Sequence, residues 1–447
     1  MFKFAPMKSK IFLILAAALL LCACSDKEPN YPEVRIACIG DSITWGAGIE
    51  DRLNCNYPAV LGKLLGEGYK VRGFGFNSRV ASLEGDYPYF EAAKYDTLKM
   101  WLPDVVTIML GTNDSKIHNW NSNSYHEGLK TIIDDLRKVP SHPRIILLTP
   151  TPAGDNPYTI RDSVIREEVI PEMHRIAAWR WLDVIDLYTP MLEHRELFPD
   201  NIHPDAEGSA LIASLICEGL KSCGIKPGPR VMFVGDSITD GFWGRNDGKP
   251  ASQRDHYDRN HVYGHGYQAF AIGRMMADKP ELGIRCYNRG ISGNSLDNIR
   301  DRWEEEVLSV RPTLISLFVG VNDVGGGSRT IDTGQWEASY RALIDSTLAV
   351  LPDVKFVLCT PFVRNASGFQ PGKDDAIVDE LAVIVRRIAA DYDIPCVDFA
   401  STVYSQYDSD ATADKHYWLW DGIHPTYATH ALMADEWLET VYRHKLI

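Results

Sequence analysis

The chain lacks a basic run. Beyond Lys3, Lys8 and Lys10 no cluster of Lys and Arg recurs, and the formal net charge is −14. Without a positive stripe there is no electrostatic footprint for nucleic acid, and the acidity reads as a soluble surface. The apolar run near the start, Ile11 to Leu21, is eleven residues long, short of the about 20 that a spanning helix needs. The composition of a disordered chain is missing too: 45% of the residues are hydrophobic and 24% charged, enough apolar surface for packed domains.

What the N-terminus does contain is a positive segment, the short apolar run and then Leu21-Cys22-Ala23-Cys24. This order resembles a lipoprotein signal peptide over residues 1–24, with Cys24 lipidated after cleavage. The acidic stretch Ser25 to Glu28, in a tether over 25–32, is similar to an export signal of some surface lipoproteins. The implied location is the outer membrane, facing the cell surface or the periplasm, with the membrane as a partner through the lipid at Cys24. Of nine cysteines, the loss of Cys22 and lipidation of Cys24 leave seven, which cannot all pair within one chain. Cys38, Cys286 and Cys359 sit in apolar strand-like runs and read as small core hydrophobes. A disulfide between Cys217 and Cys223 is conceivable.

A repeat organises the rest. Gly-Asp-Ser-Ile-Thr occurs at Gly40 to Thr44 and at Gly235 to Thr239, each after a β-branched run. Gly111-Thr-Asn-Asp114 is matched by Gly320-Val-Asn-Asp323, and Asp200-Asn-Ile-His-Pro204 by Asp421-Gly-Ile-His-Pro425. Three motifs in one order mean duplication of a whole domain. Gly224 to Pro229 breaks helix and strand, giving domains over 33–224 and 230–447 that touch. Within each, apolar strand runs alternate with helical patterns. The strands are expected at 34–39, 70–74, 105–110, 144–149 and 182–187, then at 231–234, 284–287, 314–319, 355–359 and 395–399. A helix is expected over Leu296 to Leu308, where Leu296, Ile299, Trp303 and Val307 share one face. The fold class is therefore α/β, two tandem α/β/α sandwiches of about five parallel strands each.

Every repeated motif falls at a strand's carboxyl end, where active residues gather in such sheets. Each motif alone is also a turn or a helix cap; the ordered repetition favours chemistry. Ser42 and Ser237 supply a hydroxyl that needs a base, His203 and His424 a base, and Asp200 and Asp421 a carboxylate to fix the imidazole. A tetrahedral oxyanion needs about three donors: the serine N–H, a glycine N–H and the amide of Asn113 or Asn322. His256, His261 and His265 lie close together, but Gly264 and Gly266 oppose the helix that would turn them into a metal site; no metal and no cofactor are expected.

These blocks resemble the SGNH/GDSL-hydrolase superfamily, in two copies over nearly the whole chain after the signal. The resemblance implies a flavodoxin-like fold, Ser-His-Asp catalysis and oxyanion donation by Gly290 with Asn322. In the first copy the glycine block departs: Val71 to Ser78 stands where the family has Asn-x-Gly-x-Ser-Gly, so Gly75 aligns as donor while Gly73 replaces the preceding Asn. The implied function is removal of O-acetyl groups from carbohydrates, with an acetylated polysaccharide as partner. Alternatives are a lipase-like or thioester hydrolase, or a first domain that only binds carbohydrate or braces the second. Ser42 to Gly75 spans 33 residues (75 − 42) and Ser237 to Gly290 spans 53 (290 − 237). The extra chain runs through Gly241 to Gly266, rich in aromatic, His and charged residues such as Phe242, Trp243, Arg245, Arg254, His256, Tyr257, Arg259 and Tyr263, with Tyr267 just after it, and is expected to wall the second pocket.

Overall fold

Residues 31–93, 95–241, 263–324, 331–409 and 414–447 are described by the computed structural model. The signal segment, Cys24 and most of the extra segment, including Phe242, Trp243, His256, Tyr257 and His261, lie outside the described residues. Two sheets form, each of five parallel strands. In the first, β1 (Val34–Gly40), β2 (Tyr69–Gly75), β3 (Val105–Met109), β4 (Arg144–Leu148) and β5 (Asp183–Ile185) take the order β2-β1-β3-β4-β5. In the second, β6 (Arg230–Gly235), β7 (Arg285–Gly290), β8 (Leu314–Phe318), β9 (Lys355–Cys359) and β10 (Cys396–Val397) take the equivalent order β7-β6-β8-β9-β10. Gly40 pairs with Gly75 and Gly235 with Gly290, so the two registers coincide.

The near-continuous apolar strands are explained by cover on both faces. Ala37 and Ile39 enter one core cluster of the first sheet and Ile36 and Cys38 the other. Met232 and Val234 divide in the same way from Val231 and Phe233. Cys38, Cys286 and Cys359 are buried, as their sequence setting implies. Cys217 and Cys223 are both free thiols, so no disulfide joins them.

Two expectations need correction. The helix over Leu296 to Leu308 is broken at Arg302, whose φ of −108° and ψ of 5° end Leu296–Asp301 before a new turn at Trp303–Glu306. The Arg302 guanidinium donates to the carbonyls of Arg289 and Gly235 and to Asn294, ties that the apolar periodicity does not reveal. The last strand of each sheet is also shorter than expected. Asp186 and Asp398 take hydrogen bonds from Thr149 and Thr360, and accept from Thr189 N and Ser401 N, turning the chain into the next helix.

The amino-terminal edges of the two sheets meet. Asp104, just before β3, has a side chain 1% exposed and accepts hydrogen bonds from Arg230, Arg285 and Arg311 of the second half at 2.8–3.2 Å. Arg230 and Arg311 also donate to the Glu33 carbonyl, Arg285 to that of Ser141 and Arg289 to that of Pro140. Burial, then the neighbouring Arg230, lowers Arg311 to about 10. A single carboxylate anchoring three cations sets a definite geometry, because Asp104 and Arg230 are buried and displacement would strand their charges.

Candidate active site

In each sheet the chain leaves the first strand for the edge strand on one side and returns to the third strand on the other. The carboxyl ends of the first and third strands therefore border a crevice. The first strand ends in a glycine, then an aspartate that caps a single helical turn, Ser42–Trp45 or Ser237–Asp240. Asp41 accepts from Ile43 N at 2.9 Å and Asp236 from Ile238 N at 3.0 Å. Burial raises these carboxyls to about 6 and about 7.

The three chemical groups that sequence placed far apart come together in both halves. Ser42 Oγ lies 2.8 Å from His203 Nε2, and His203 Nδ1 lies 2.7 Å from Asp200 Oδ2. Ser237 Oγ lies 2.8 Å from His424 Nε2, and His424 Nδ1 lies 2.6 Å from Asp421 Oδ2. Each aspartate also accepts backbone N–H groups, Asp200 from Ile202 and His203, Asp421 from Ile423 and His424. Burial pushes both carboxyls up, but these hydrogen bonds outweigh it and hold them below the usual range. An ionised, immobilised acceptor on Nδ1 leaves Nε2 as the base facing the hydroxyl.

Asn113 and Asn322 follow the third strands as expected. Asn113 donates to the Arg79 carbonyl and Asn322 to the Asn294 carbonyl, equivalent positions four residues beyond Gly75 and Gly290. Asn113 also reaches Asp41. The aspartate after each asparagine was not singled out in the sequence, yet it pins this same loop: Asp114 accepts from Ala81 N and Ser82 N, and Asp323 from Leu296 N. The fourth letter of each Gly-x-Asn-Asp motif was the available signal.

The glycines expected as donors have another role. Gly290 N donates to Asn288 Oδ1 at 2.9 Å. A Cβ at Gly290 would fall 2.1 Å from Asp240 N, and one at Gly75 2.3 Å from Trp45 N. Both glycines are spacers that let the nucleophile's helical turn lie directly on the edge strand. The exposed N–H candidates sit three residues on, at the strand-end turn beside the asparagine. There Gly293 has φ +80° and the equivalent Ser78 has φ +62°. Only the conformation marks these two, and it is not legible in sequence because one of them is a serine.

The halves differ around this frame. In the second, Asn288 donates to the Asp240 and Tyr263 carbonyls and Ser292 to the Asp240 carboxylate. In the first, these positions are Gly73, Trp45 and Asn77, and the Arg52 guanidinium lies 3.7 Å over the Trp45 ring. The ends of the extra segment do return to the active face, since His265 N donates to the Gly241 carbonyl. Ser237, Gly241, His265, His424, Tyr427 and Trp420 line a cavity of about 300 Å³. The Trp420 ring, missed in the sequence although it precedes Asp421, stacks on His424 at 5.3 Å and 19°. In the first half Tyr158 meets His203 edge-on at 5.9 Å. His430, also in the cavity wall, is lowered to about 3 by burial and then by His424, and its Nδ1 accepts from Tyr267 N.

The profile of the GDSL-like Lipase/Acylhydrolase family matches residues 38–211 and 233–432. An acetylxylan esterase of Xylanibacter ruminicola is 37% identical over 212 residues, 43% of this chain and 44% of that protein, so the chain spans less than half of that relative. An acetylxylan esterase of Geobacillus stearothermophilus is 30% identical over 228 residues, 48% of this chain and 95% of that protein. The crystal structure of Axe2, an acetylxylan esterase from the same organism, is 29% identical, with a TM-score of 0.40 over 48% of this chain and 94% of its own.

Proposed function

From the premise that this chain belongs to the GDSL-like lipase/acylhydrolase family, we propose that it is a carbohydrate acetylesterase with two working active sites. The observation that carries this reading is the Ser–His–Asp hydrogen-bonded chain, formed twice with heavy-atom distances of 2.6–2.8 Å. The relatives described as acetylxylan esterases support an acetylated polysaccharide, of the xylan type, as substrate.

In each site the serine Oγ attacks the acetyl carbonyl carbon as histidine Nε2 takes its proton. The carbonyl oxygen gains negative charge, met by the serine N–H, the asparagine amide and an N–H of the turn at Gly293 or Ser78. The histidine then protonates the departing sugar oxygen, leaving an acetyl-serine. Water, deprotonated by the same histidine, attacks that ester; acetate leaves and the proton returns to the serine. The cavity beside Ser237 suits a small acyl group under a sugar ring, with Trp420 and Tyr427 as stacking surfaces.

The test is acetate release from acetylated xylo-oligosaccharides by Ser42→Ala, Ser237→Ala and the double variant. Each single variant should lose one component of the activity, and the double variant should fall by at least about 10³-fold. Full activity in the double variant would remove both serines from the chemistry. A silent Ser42→Ala would reduce the first half to a binding or bracing module.

A further inference from the structure

The seam and the active sites occupy opposite edges of each sheet. Glu33, Asp104 and Ser141 precede β1, β3 and β4, while Arg230 and Arg285 begin β6 and β7 and Arg311 precedes β8. All of them meet across the seam through buried or half-buried hydrogen bonds. Ser42 and Ser237 stand past the other end of their strands, after seven residues of β1 and six of β6. At about 3.3 Å per residue each serine lies roughly 20–25 Å beyond the seam. Strands running away from the seam on both sides would place the two serines on the order of 40 Å apart.

Resting on the two-site esterase reading above, we infer that the chain is two-headed: it holds two separate acetylated polysaccharide chains at once and bridges them. A short oligosaccharide cannot reach from one site to the other, and an acetyl group is not handed between them. A polymer caught at one end leaves the other site open to a neighbouring polymer. Each protein molecule thus becomes a cross-link, and a substrate with many acetyl groups becomes a network. The buried seam keeps the heads apart, since Asp104 and Arg230 have side chains only 1% and 2% exposed.

Two measurements test this on the intact chain. First, a p-nitrophenyl phosphonate carrying a nitroxide is reacted with the wild-type protein. Each serine Oγ displaces p-nitrophenolate from phosphorus, and the spin–spin distance is read by pulsed electron resonance. A distance on the order of 40 Å is expected; one below about 25 Å would overturn the back-to-back arrangement. Second, the double Ser42→Ala, Ser237→Ala variant, able to bind without turnover, is mixed with acetylated xylan and followed by light scattering. Scattering should rise several-fold to a maximum near equivalence and fall in excess protein. Single variants carrying a bulky phosphonate on the remaining serine should show no maximum. Widely separated, reactive serines without a scattering maximum would overturn bridging alone. A serine that takes no phosphonate would overturn the esterase reading of that half, and two-headedness with it.

Discussion

The two halves share a sheet order, a strand register and a serine–histidine–aspartate chain of nearly the same dimensions, yet differ in the side chains packed beneath and beside it. Asn288, Ser292 and Asp240 form a polar network under the second nucleophile. Gly73, Asn77 and Trp45 stand in those places in the first. The lesson is that the serine–histidine–aspartate chain and its surroundings are separately variable. Each serine–histidine–aspartate chain is held by the end of a strand and by an aspartate three residues before the histidine, and both are the same in the two halves. What surrounds it can change without moving the serine–histidine distance from 2.8 Å.

That comparison can be broken most severely at the carboxylates. Asp421→Asn and Asp200→Asn should each reduce kcat of their own half by about 10⁴-fold, because the amide presents a donor where Nδ1–H needs an acceptor. The effect is measured in a background carrying the other half's serine-to-alanine change. Equal losses would establish that the halves share one mechanism; a large loss in only one would show that the geometric likeness misleads.

The next effect separates spacer from donor. Gly290→Ala and Gly75→Ala place a methyl within about 2–2.5 Å of backbone and should destabilise the fold by about 1–3 kcal/mol, read by urea unfolding. At Gly293 a Cβ meets nothing within 4 Å, so Gly293→Ala carries only the left-handed backbone strain, about 1 kcal/mol. Ser78 carries the same strain at φ +62°, and Ser78→Gly should relieve it, stabilising the first half by up to about 1 kcal/mol. If Gly293→Ala destabilised more than Gly290→Ala, the spacer assignment would be wrong.

A smaller effect is expected at the histidine's aromatic neighbours. Trp420→Ala removes a ring stacked on His424 and should lower kcat/KM of the second half by roughly 2–10-fold, the range of an aromatic pair. Tyr158→Ala, which removes an edge contact in the first half, should do less. Kinetics of the two variants in single-site backgrounds decide the order.

The last effect concerns pH. Burial raises Asp236 from 3.8 to about 7 and Asp41 from 3.8 to about 6. A folded-state pKa above the unfolded one means that the stabilising contribution is complete below 3.8 and is lost as pH climbs through the folded value. Asp236→Asn does not titrate, so its melting temperature relative to wild type should climb from pH 4 and level off above about 7. For Asp41→Asn the climb should end near 6. A melting-temperature difference that fell over this range would reverse the sign of the effect.

Much of this molecule was legible before any coordinates. Alternation of apolar runs and helical patterns announced ten parallel strands, since a strand covered on both faces has no polar side to show. The repeated motifs marked Ser42, His203, Asp200 and their counterparts, because turn residues alone have no reason to recur in one order. The break at Arg302 was hidden, as it depends on carbonyls at Arg289 and Gly235 that are distant in sequence. The role of Gly290 was hidden too, for a glycine reads alike whether its N–H is wanted or its missing Cβ.

The sequence by itself determined the duplication, the α/β class and which serine, histidine and aspartate meet in each half, because local periodicity and short motifs carry them. Only the tertiary structure decided that the Gly290 N–H serves Asn288, that Trp420 lies flat on His424, and that the amino-terminal edges of the two sheets meet around Asp104. Those facts depend on which surfaces meet across long stretches of chain. The seam shows why: Asp104 gathers Arg230, Arg285 and Arg311 from positions 126, 181 and 207 residues away, and no local pattern in a sequence records which buried cations one carboxylate will collect.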